Sequence, residues 1–360
     1  MKRLLTDDGN ELVLDLIDRG GDGRIVARAP LSRDDLQLVR DETWWRGVRA
    51  GALEPDLAAH ELRVSPGRDA GRGRCAGIHI ELRAGRRSYR RHFPVETFAA
   101  VARRKMLELV EQDAAAATDT FNYFLTAIPA EHDELPQAAL HSTPRGEPLT
   151  FETARLADYL LRSEPLVGVS EPPEPPSQPA MEVFVTEEVW EEGRGLSRRG
   201  GEHESAAVFS GRLLRDADSP EVFMVLDACL EAEQAVEEKL AVTFTGETWS
   251  RIRKTLEQRR RRLGRPHEII VGSAHGHPFK PAADAQGRRM CDACSIARYC
   301  NRSTATPSND DFDWHRSVFT GQPWATLAIW GFNAREQDDW RFYGLENGAL
   351  RERSLRKVQE

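Results

Sequence analysis

The sequence lacks the features of a membrane, nucleic-acid-coating or secreted protein. No apolar run approaches the roughly 20 residues that a membrane-spanning helix needs. Basic residues are fewer than acidic ones, which leaves a net charge of -8 over 360 residues and argues against a protein built to coat nucleic acid. The opening residues Met1–Asp8 turn acidic at once, unlike a secretory signal. We therefore expect a cytoplasmic protein with no membrane partner and no nucleic-acid partner.

Cysteine is scarce and unevenly distributed. The chain has five cysteines, of which the last three are crowded together: Cys75, Cys229, Cys291, Cys294 and Cys300. In a reducing compartment such crowding indicates a metal more than disulfides. The Cys-x-x-Cys pair and the third thiol predict a structural metal, which would be distinct from the histidine site described below. Free thiols in a loop are the alternative. Its fourth ligand stays open among His315, His267 and Cys229.

Proline is concentrated between Glu171 and Pro179, where its density favours an extended spacer over a helix or sheet interior. We take residues 167–180 as a linker. Before it, residues 1–166 are expected to form a small α+β module, in which we find no nucleophile or ligand cluster. After it, residues 181–350 are expected to form a second domain with a Cys-rich insertion at about 280–305.

Apolar alternation, β-branched runs and turn residues predict the main elements of both halves. In the first half we expect strands at Glu11–Ile17, Ile25–Ala27, Ile78–Leu82 and Ser88–Phe93, and helices from Pro94 to about Gln112 and at about Phe151–Leu161. In the second half we expect strands at Val183–Val185, Val222–Leu226, Trp324–Phe332 and Trp340–Tyr343, a helix at Thr248–Arg262 and a charged tail.

Two histidines follow a short apolar stretch in the second half. Ile269–Val271 reads as a buried strand that runs into His275, His277 and then Pro278. Side chains alternate along a strand, so the two imidazoles are expected on the same side, a few ångströms apart. Neutral imidazole is the commonest metal ligand, and the pair supplies two-thirds of a zinc site; surface histidines at a loop mouth are the alternative.

A catalytic zinc needs a third protein ligand and a base that does not bind the metal. The best candidate ligand is Asp311 in the Ser-x-x-Asp that begins at Ser308, with Asp310 and Asp313 as competitors. If a helix starts there, Ser308 shares a face with Asp311 and can donate to an oxyanion. A helix cap without a metal role is the alternative. The candidate base is Glu204, which lies before an apolar run.

Together these motifs resemble the JAMM (JAB/MPN) metalloprotease domain. The resemblance rests on a glutamate seven residues before Gly211, then His-x-His-Pro, then Ser-x-x-Asp, and covers about residues 181–345. It implies a curved sheet flanked by helices. It also implies one catalytic Zn2+ held by His275, His277 and Asp311, with Glu204 as general base and Ser308 as oxyanion helper. The chain departs from the family in spacing, because His277 and Ser308 are 31 positions apart, an insertion of about twenty residues.

The resemblance also implies an activity and a class of partner. Members of the family include zinc isopeptidases that cut a ubiquitin-like protein from its conjugate or precursor. We expect that substrate here, with the N-terminal module recognising it or a conjugation-pathway enzyme. A non-catalytic JAB/MPN assembly module is the main alternative. A zinc nucleobase deaminase is a weaker one, because its His-x-Glu and Pro-Cys-x-x-Cys motifs are replaced by His275-Gly276-His277 and Met290-Cys291.

Overall fold

The computed structural model describes residues 5–18, 25–56, 60–68, 74–112, 121–129, 149–166, 181–199, 203–233, 235–237, 242–277, 303–333, 337–353 and 355–359. The chain divides into two compact units, Met1–Leu149 with Glu346–Ala349, and Thr150–Leu345 with Leu350–Glu360. Each unit combines helices with a sheet, so the α+β class expected from the sequence is confirmed. Within these ranges no helix is both long and apolar enough to cross a membrane.

The described part of the first unit is a sheet with two α-helices. Its described strands are β1 (Asn10–Asp18), β2 (Ile25–Pro30), β3 (Glu61–Arg68), β4 (Arg74–Ala84), β5 (Arg87–Pro94) and β6 (Phe121–Pro129), ordered β2-β1-β6-β4-β3 with β5 paired to β4. The helices are α1 (Gln37–Arg49) and α2 (Ala99–Glu111). Alternate residues of β1 and β4, among them Leu12, Leu14, Ile78 and Ile80, form one buried core with Phe93 and Phe98.

The second unit is built on a larger mixed sheet. Its strands are β7 (Glu152–Ala154), β8 (Ser163–Pro165), β9 (Val183–Thr186), β10 (Ala206–Asp216), β11 (Val222–Glu231), a ribbon of β12 (Val236–Glu237) and β13 (Val242–Thr243), β14 (Ile269–Gly276), β15 (Thr326–Phe332), β16 (Asp338–Glu346), β17 (Ala349–Glu352) and β18 (Arg356–Val358). The order is β17-β16-β15-β14-β10-β11-β9-β18-β8, with β7 paired to β10. The helices are α3 (Leu156–Leu161), α4 (Glu187–Arg198), α5 (Gly246–Leu263) and α6 (Asn309–Val318).

Strand β10 is covered by a helix on each face near its N-terminal end. Phe209 packs against Phe342, with their ring centroids 6.1 Å apart, and a Cβ added at Gly193 of α4 would lie 3.4 Å from its ring. The next residue back, Val208, shares a buried cluster with Ile252 of α5. Successive side chains of a strand point to opposite faces, so α4 and α5 lie on opposite faces of the sheet at β10.

The boundary between the units lies earlier than the sequence suggested. The expected helix at Phe151–Leu161 is wrong in its first half, because Glu152–Ala154 pairs in parallel with Leu214–Asp216 and α3 begins only at Leu156. The Leu156 amide donates to Asp216 Oδ1 at 2.9 Å. Residues 150–165 therefore belong to the second unit and not to a module ending at 166. The linker at 167–180 lies outside the described residues.

The charged tail is also structured. Arg356–Val358 forms β18, which lies between β9 on one side and β8 on the other. The sequence predicted only a charged tail after the last hydrophobic strand, whereas the backbone groups of these three residues pair within the sheet. The second unit thus extends beyond residue 350.

Candidate metal centre

The two histidines lie where β14 ends in the interior of the second unit. β14 pairs antiparallel with β10 and parallel with β15, so both its edges are covered. His275 lies opposite Ala206 of β10, and the His277 amide donates to the Trp330 carbonyl at 2.7 Å, which continues the extended backbone. The Nε2 atoms of His275 and His277 are 3.1 Å apart, and both residues are buried. The two-residue period of a strand places the imidazoles together as expected.

Asp311 reaches the same place from helix α6. The helix begins with a capping box, in which the Ser308 hydroxyl accepts from the Asp311 amide and the Asp311 carboxylate accepts from the Ser308 amide. Asp311 Oδ1 lies 3.0 Å from His275 Nε2, and Oδ2 lies 3.5 Å from His277 Nε2. The cap that local sequence predicts therefore also aims the carboxylate at the histidines.

Glu204 approaches from the segment before β10. Cross-strand partners share a face of a sheet, so Ala206 lies on the same face as His275. Glu204 comes two positions earlier, and the Gly276 amide donates to the Ser205 carbonyl, which carries the pairing of the strands back towards it. Glu204 Oε1 lies 4.0 Å from His277 Nε2. The carboxylate thus stands beside the histidines but farther away than Asp311.

The described residues contain one group of at least three potential metal-ligating side chains, His275, His277 and Asp311, whose ligand atoms all lie within 4.8 Å of one another. Asp310 and Asp313, the competing acids, are exposed and belong to no such group in these ranges. The structure therefore brings together the three side chains named from the sequence and separates Asp311 from its neighbours.

The hydrogen bond on the far side of His277 fixes its tautomer. His277 Nδ1 lies 2.7 Å from the carbonyl oxygen of Thr304. A carbonyl oxygen only accepts, so Nδ1 carries the proton and the neutral ring presents a lone pair at Nε2. That lone pair faces a carboxylate oxygen and a second imidazole nitrogen. A lone pair that faces a carboxylate oxygen is stabilised when a cation, either a proton or a metal ion, lies between them.

The electrostatics of the cluster follow from its burial. Burial alone would raise the pKa of Asp311, but its interactions with His275 and with the protonated form of His277 outweigh burial and lower that pKa well below its usual range. For His277 burial disfavours the charged ring, yet the bond to Asp311 and the Thr304 carbonyl raise its pKa above the ordinary value. Burial raises the pKa of Glu204, and the nearby histidines offset this only in part. The Asp311 carboxylate and the His277 ring thus each favour the charged form of the other.

The spacing of the ligand atoms suits zinc. Zinc is bound by imidazole nitrogen and carboxylate oxygen at about 2.0–2.2 Å in tetrahedral geometry, so neighbouring ligand atoms lie about 3.3 Å apart. The two imidazole nitrogens are 3.1 Å apart. His275 Nε2 lies 3.0 Å from Asp311 Oδ1, and His277 Nε2 lies 3.5 Å from the other oxygen, Oδ2. Three protein ligands are also the number found in catalytic zinc sites, which keep one position for water. The donor set therefore fits a zinc ion in number and chemistry, and its two nitrogens fit also in spacing.

The predicted second metal cannot be placed. Cys291, Cys294 and Cys300 lie outside the described residues. Of the three candidates for a fourth ligand, His267 is exposed with Nδ1 3.1 Å from Thr150 Oγ1, while Cys229 and His315 are buried. Burial raises the pKa of the Cys229 thiol strongly, which disfavours the thiolate form that binds metals.

Sequence reasoning missed two groups around the cluster. His315 appeared only as a possible ligand of the cysteines, yet it follows Asp311 by one helical turn and is wholly buried, with neither ring nitrogen hydrogen-bonded within the described residues. Its spacing from Asp311 was the available signal. The Thr304 carbonyl had no signal, because it is a backbone atom 27 positions from the histidine it contacts.

No protein-family model matches the chain, and no curated protein matches it either. Among solved structures, the solution structure of protein DSY2949 from Desulfitobacterium hafniense is similar, with 17% sequence identity and a TM-score of 0.30. That match covers 49% of this chain and 94% of the other. A likeness at this level carries no argument about fold or function.

Proposed function

We propose that the second unit is a zinc-dependent isopeptidase of the JAMM type, which cleaves after the C-terminal tail of a ubiquitin-like protein. One observation carries the proposal. His275 and His277 at the end of β14 meet Asp311 from the first turn of α6, with Glu204 from before β10 beside them. Each motif is weak alone, but their order along the chain and their meeting in space match the requirements of this chemistry together.

His275, His277 and Asp311 would hold the metal through two nitrogens and one oxygen. Bound zinc supplies a Lewis acid that polarises a carbonyl and acidifies water. Neighbouring backbone groups orient two of these side chains. The Thr304 carbonyl accepts from His277 Nδ1, and the Ser308 amide donates to the Asp311 carboxylate at 2.6 Å. Such outer partners hold ligands in place before the metal arrives.

Glu204 is the proposed general base. It is largely buried, and this burial raises the pKa of its carboxyl above the ordinary value, which makes the carboxylate a better proton acceptor. At 4.0 Å from His277 Nε2, it is close to the cluster without being one of its three ligands. We assign it the proton of the attacking water, which it then returns to the leaving amine.

Ser308 is the proposed oxyanion helper. Its hydroxyl accepts one hydrogen bond, from the Asp311 amide at 3.1 Å. A hydroxyl has one proton to give besides the lone pairs it uses as an acceptor, so capping the helix leaves the Ser308 O–H able to donate. Ser308 is exposed, which suits a group that meets substrate at the mouth of a site. Helix cap and oxyanion donor are therefore compatible roles.

The substrate assignment comes from the resemblance. The leaving group would be a lysine side-chain amine of a conjugate, or the main chain of a precursor, and an extended tail can bind as an added strand. The first unit is assigned to recognition of that substrate or of a conjugation-pathway enzyme, on context alone. The assembly-module alternative predicts a broken ligand set, and all three ligands are present.

The test uses the full chain. Zinc content per chain is measured by elemental analysis, and cleavage is measured on ubiquitin-like proteins fused through their C-terminal tails to a reporter. We expect cleavage by the zinc-loaded protein, and loss of cleavage with retained zinc in Glu204→Gln. Zinc binding without cleavage of any fusion would favour the assembly module, and absence of zinc binding would refute the metal centre.

A further inference from the structure

The segment Ser303–Ala305 lies against the end of β15, where it meets the candidate metal centre. Ser303 forms an antiparallel bridge with Asn333. The Thr304 amide donates to the Phe332 carbonyl at 2.9 Å, and the Phe332 amide donates to Thr304 Oγ1 at 2.8 Å. Main chain and side chain of Thr304 are thus both attached to the same residue of the sheet.

Two further contacts hold this segment in place. The Tyr343 hydroxyl donates to the Ala305 carbonyl at 2.6 Å, and Ala305 is wholly buried. Gly331 leaves no room for a side chain, because an added Cβ would lie 2.6 Å from both the Ala305 nitrogen and Thr304 Oγ1. The backbone of Thr304 therefore has little freedom to shift towards or away from the sheet.

We propose that Thr304 positions the His277 ring. Phe332, Tyr343 and the close approach at Gly331 keep the Thr304 backbone in place. Its carbonyl fixes both the tautomer of the His277 ring and the direction in which Nε2 points. The inference deepens the proposed function and rests on it for the identity of the metal. The tautomer of His277 is a property of the protein without metal. The positioning role of Thr304 can therefore be tested separately from the proposed function.

The geometry explains why this contact controls metal affinity. His277 is the first residue after β14, and its amide donates to the Trp330 carbonyl. Loss of the 2.7 Å bond to Thr304 would remove the acceptor that favours a proton on Nδ1 and so allow the proton on Nε2, the atom that faces His275 and Asp311. A protonated Nε2 cannot bind a metal. Loss of an outer partner of a metal-ligating histidine typically costs about 10–100-fold in affinity.

A carbonyl cannot be mutated directly, so the test changes the groups that hold it. Thr304→Val removes the acceptor for the Phe332 amide at similar shape, Tyr343→Phe removes the bond to Ala305, and Gly331→Ala forces the segment away from the sheet. Matched controls of the same chemistry are chosen away from the cluster. Thr320→Val changes an exposed hydroxyl that donates to the Arg316 and Ser317 carbonyls at the end of α6. Tyr159→Phe keeps its ring contacts, and Gly195→Ala has open space for a Cβ.

Two measurements are made on the full chain. Zinc affinity is measured by competition with a chromophoric chelator. The protonated nitrogen of His277 is assigned by proton–nitrogen NMR in the metal-free protein. Because the pKa of His277 lies above the ordinary histidine value, the pH is raised from about 8.5 until the ring nitrogen shifts report the neutral form. We expect Nδ1–H in the wild type. In Thr304→Val, Tyr343→Phe and Gly331→Ala we expect a loss of zinc affinity of about 10–100-fold and a faster-exchanging Nδ1 proton. The controls should match the wild type.

The outcomes distinguish this inference from the proposed function. Wild-type zinc affinity and an unchanged His277 proton in folded Thr304→Val and Tyr343→Phe would overturn the positioning role, even if Gly331→Ala fails to fold. A wild type that binds no zinc would refute the metal centre. In that case the tautomer still decides the inference: Nδ1–H upholds the role of Thr304, and Nε2–H overturns it.

Discussion

Ser308 and Asp311 cap helix α6 in both directions, the hydroxyl accepting from the Asp311 amide at 3.1 Å and the carboxylate accepting from the Ser308 amide at 2.6 Å. The other oxygen of that carboxylate lies 3.0 Å from His275 Nε2. One aspartate thus starts a helix and enters the candidate metal centre. Mutating the two partners separately distinguishes these roles.

Ser308→Ala should lower stability without abolishing metal binding. Loss of an N-cap hydroxyl costs about 1 kcal/mol, whereas the three candidate ligands stay in place. Asp311→Ala should lower stability by a similar amount and also abolish zinc binding. Urea denaturation and chelator competition measure the two effects. The exposed neighbour Asp310→Ala is the control, and zinc affinity lost in that variant but kept in Asp311→Ala would contradict the assignment.

Glu204→Gln should bind zinc and fail to cleave. The amide keeps the shape of the side chain but cannot take a proton, so we expect kcat to fall by about 10²–10⁴-fold. Because burial raises the pKa of Glu204, the wild-type rate should rise with pH around a midpoint above the pKa of an ordinary glutamate. The variant should lack this rise on the acid side of the pH profile. Burial also raises the pKa of Glu192, which is not a member of the metal group, so Glu192→Gln is the matched control. A similar rate loss in both variants would argue against Glu204 as the base.

Zinc affinity should fall as the pH falls. The pKa of His277 is raised in the metal-free protein, so the proton competes with zinc from a pH above the ordinary histidine value downward. Each displaced proton weakens the apparent affinity by about tenfold per pH unit below that pKa. Chelator competition between about pH 6 and pH 8.5 measures this slope. A constant affinity across that range would show that His277 does not bind the metal through Nε2.

His315 should make the protein sensitive to acid. Burial first, and then the charges of Arg353 and His275, lower the pKa of His315 from 6.5 to about 3. Between these two values the unfolded chain binds a proton at His315 and the folded protein does not. The contribution of neutral His315 to the free energy of unfolding is therefore complete above about pH 6.5. It is lost as the pH falls towards 3, by at most about 1.4 kcal/mol per pH unit.

His315→Phe should flatten this dependence, because the substituted ring takes up no proton in either state. Urea denaturation at several pH values measures the slope for the wild type and the variant. The exposed His267→Phe is the control and should keep the wild-type slope. Equal slopes in His315→Phe and the wild type would show that His315 does not limit stability in acid.

The sequence predicted the strands whose apolar residues form a clear pattern, either alternation where one face is buried or a continuous run where both faces are buried. Alternation at Ile78 and Ile80 marked β4, and the apolar run at Val222–Leu226 marked β11. Helix α1 gave no such signal, because its buried residues include the charged Asp41, Glu42 and Arg46. Strand β18 was missed for a related reason: its place between two strands satisfies backbone groups, which side-chain patterns do not report.

Local geometry accounts for what the sequence by itself determined at the candidate site. The two-residue period of a strand pairs His275 with His277, and the capping box sets Asp311 in the first turn of α6. Only the tertiary structure decided that Asp311 and not Asp310 faces the histidines, that Thr304 fixes one ring, and that His315 is buried. These choices depend on packing between segments far apart in the chain, where no local spacing rule applies.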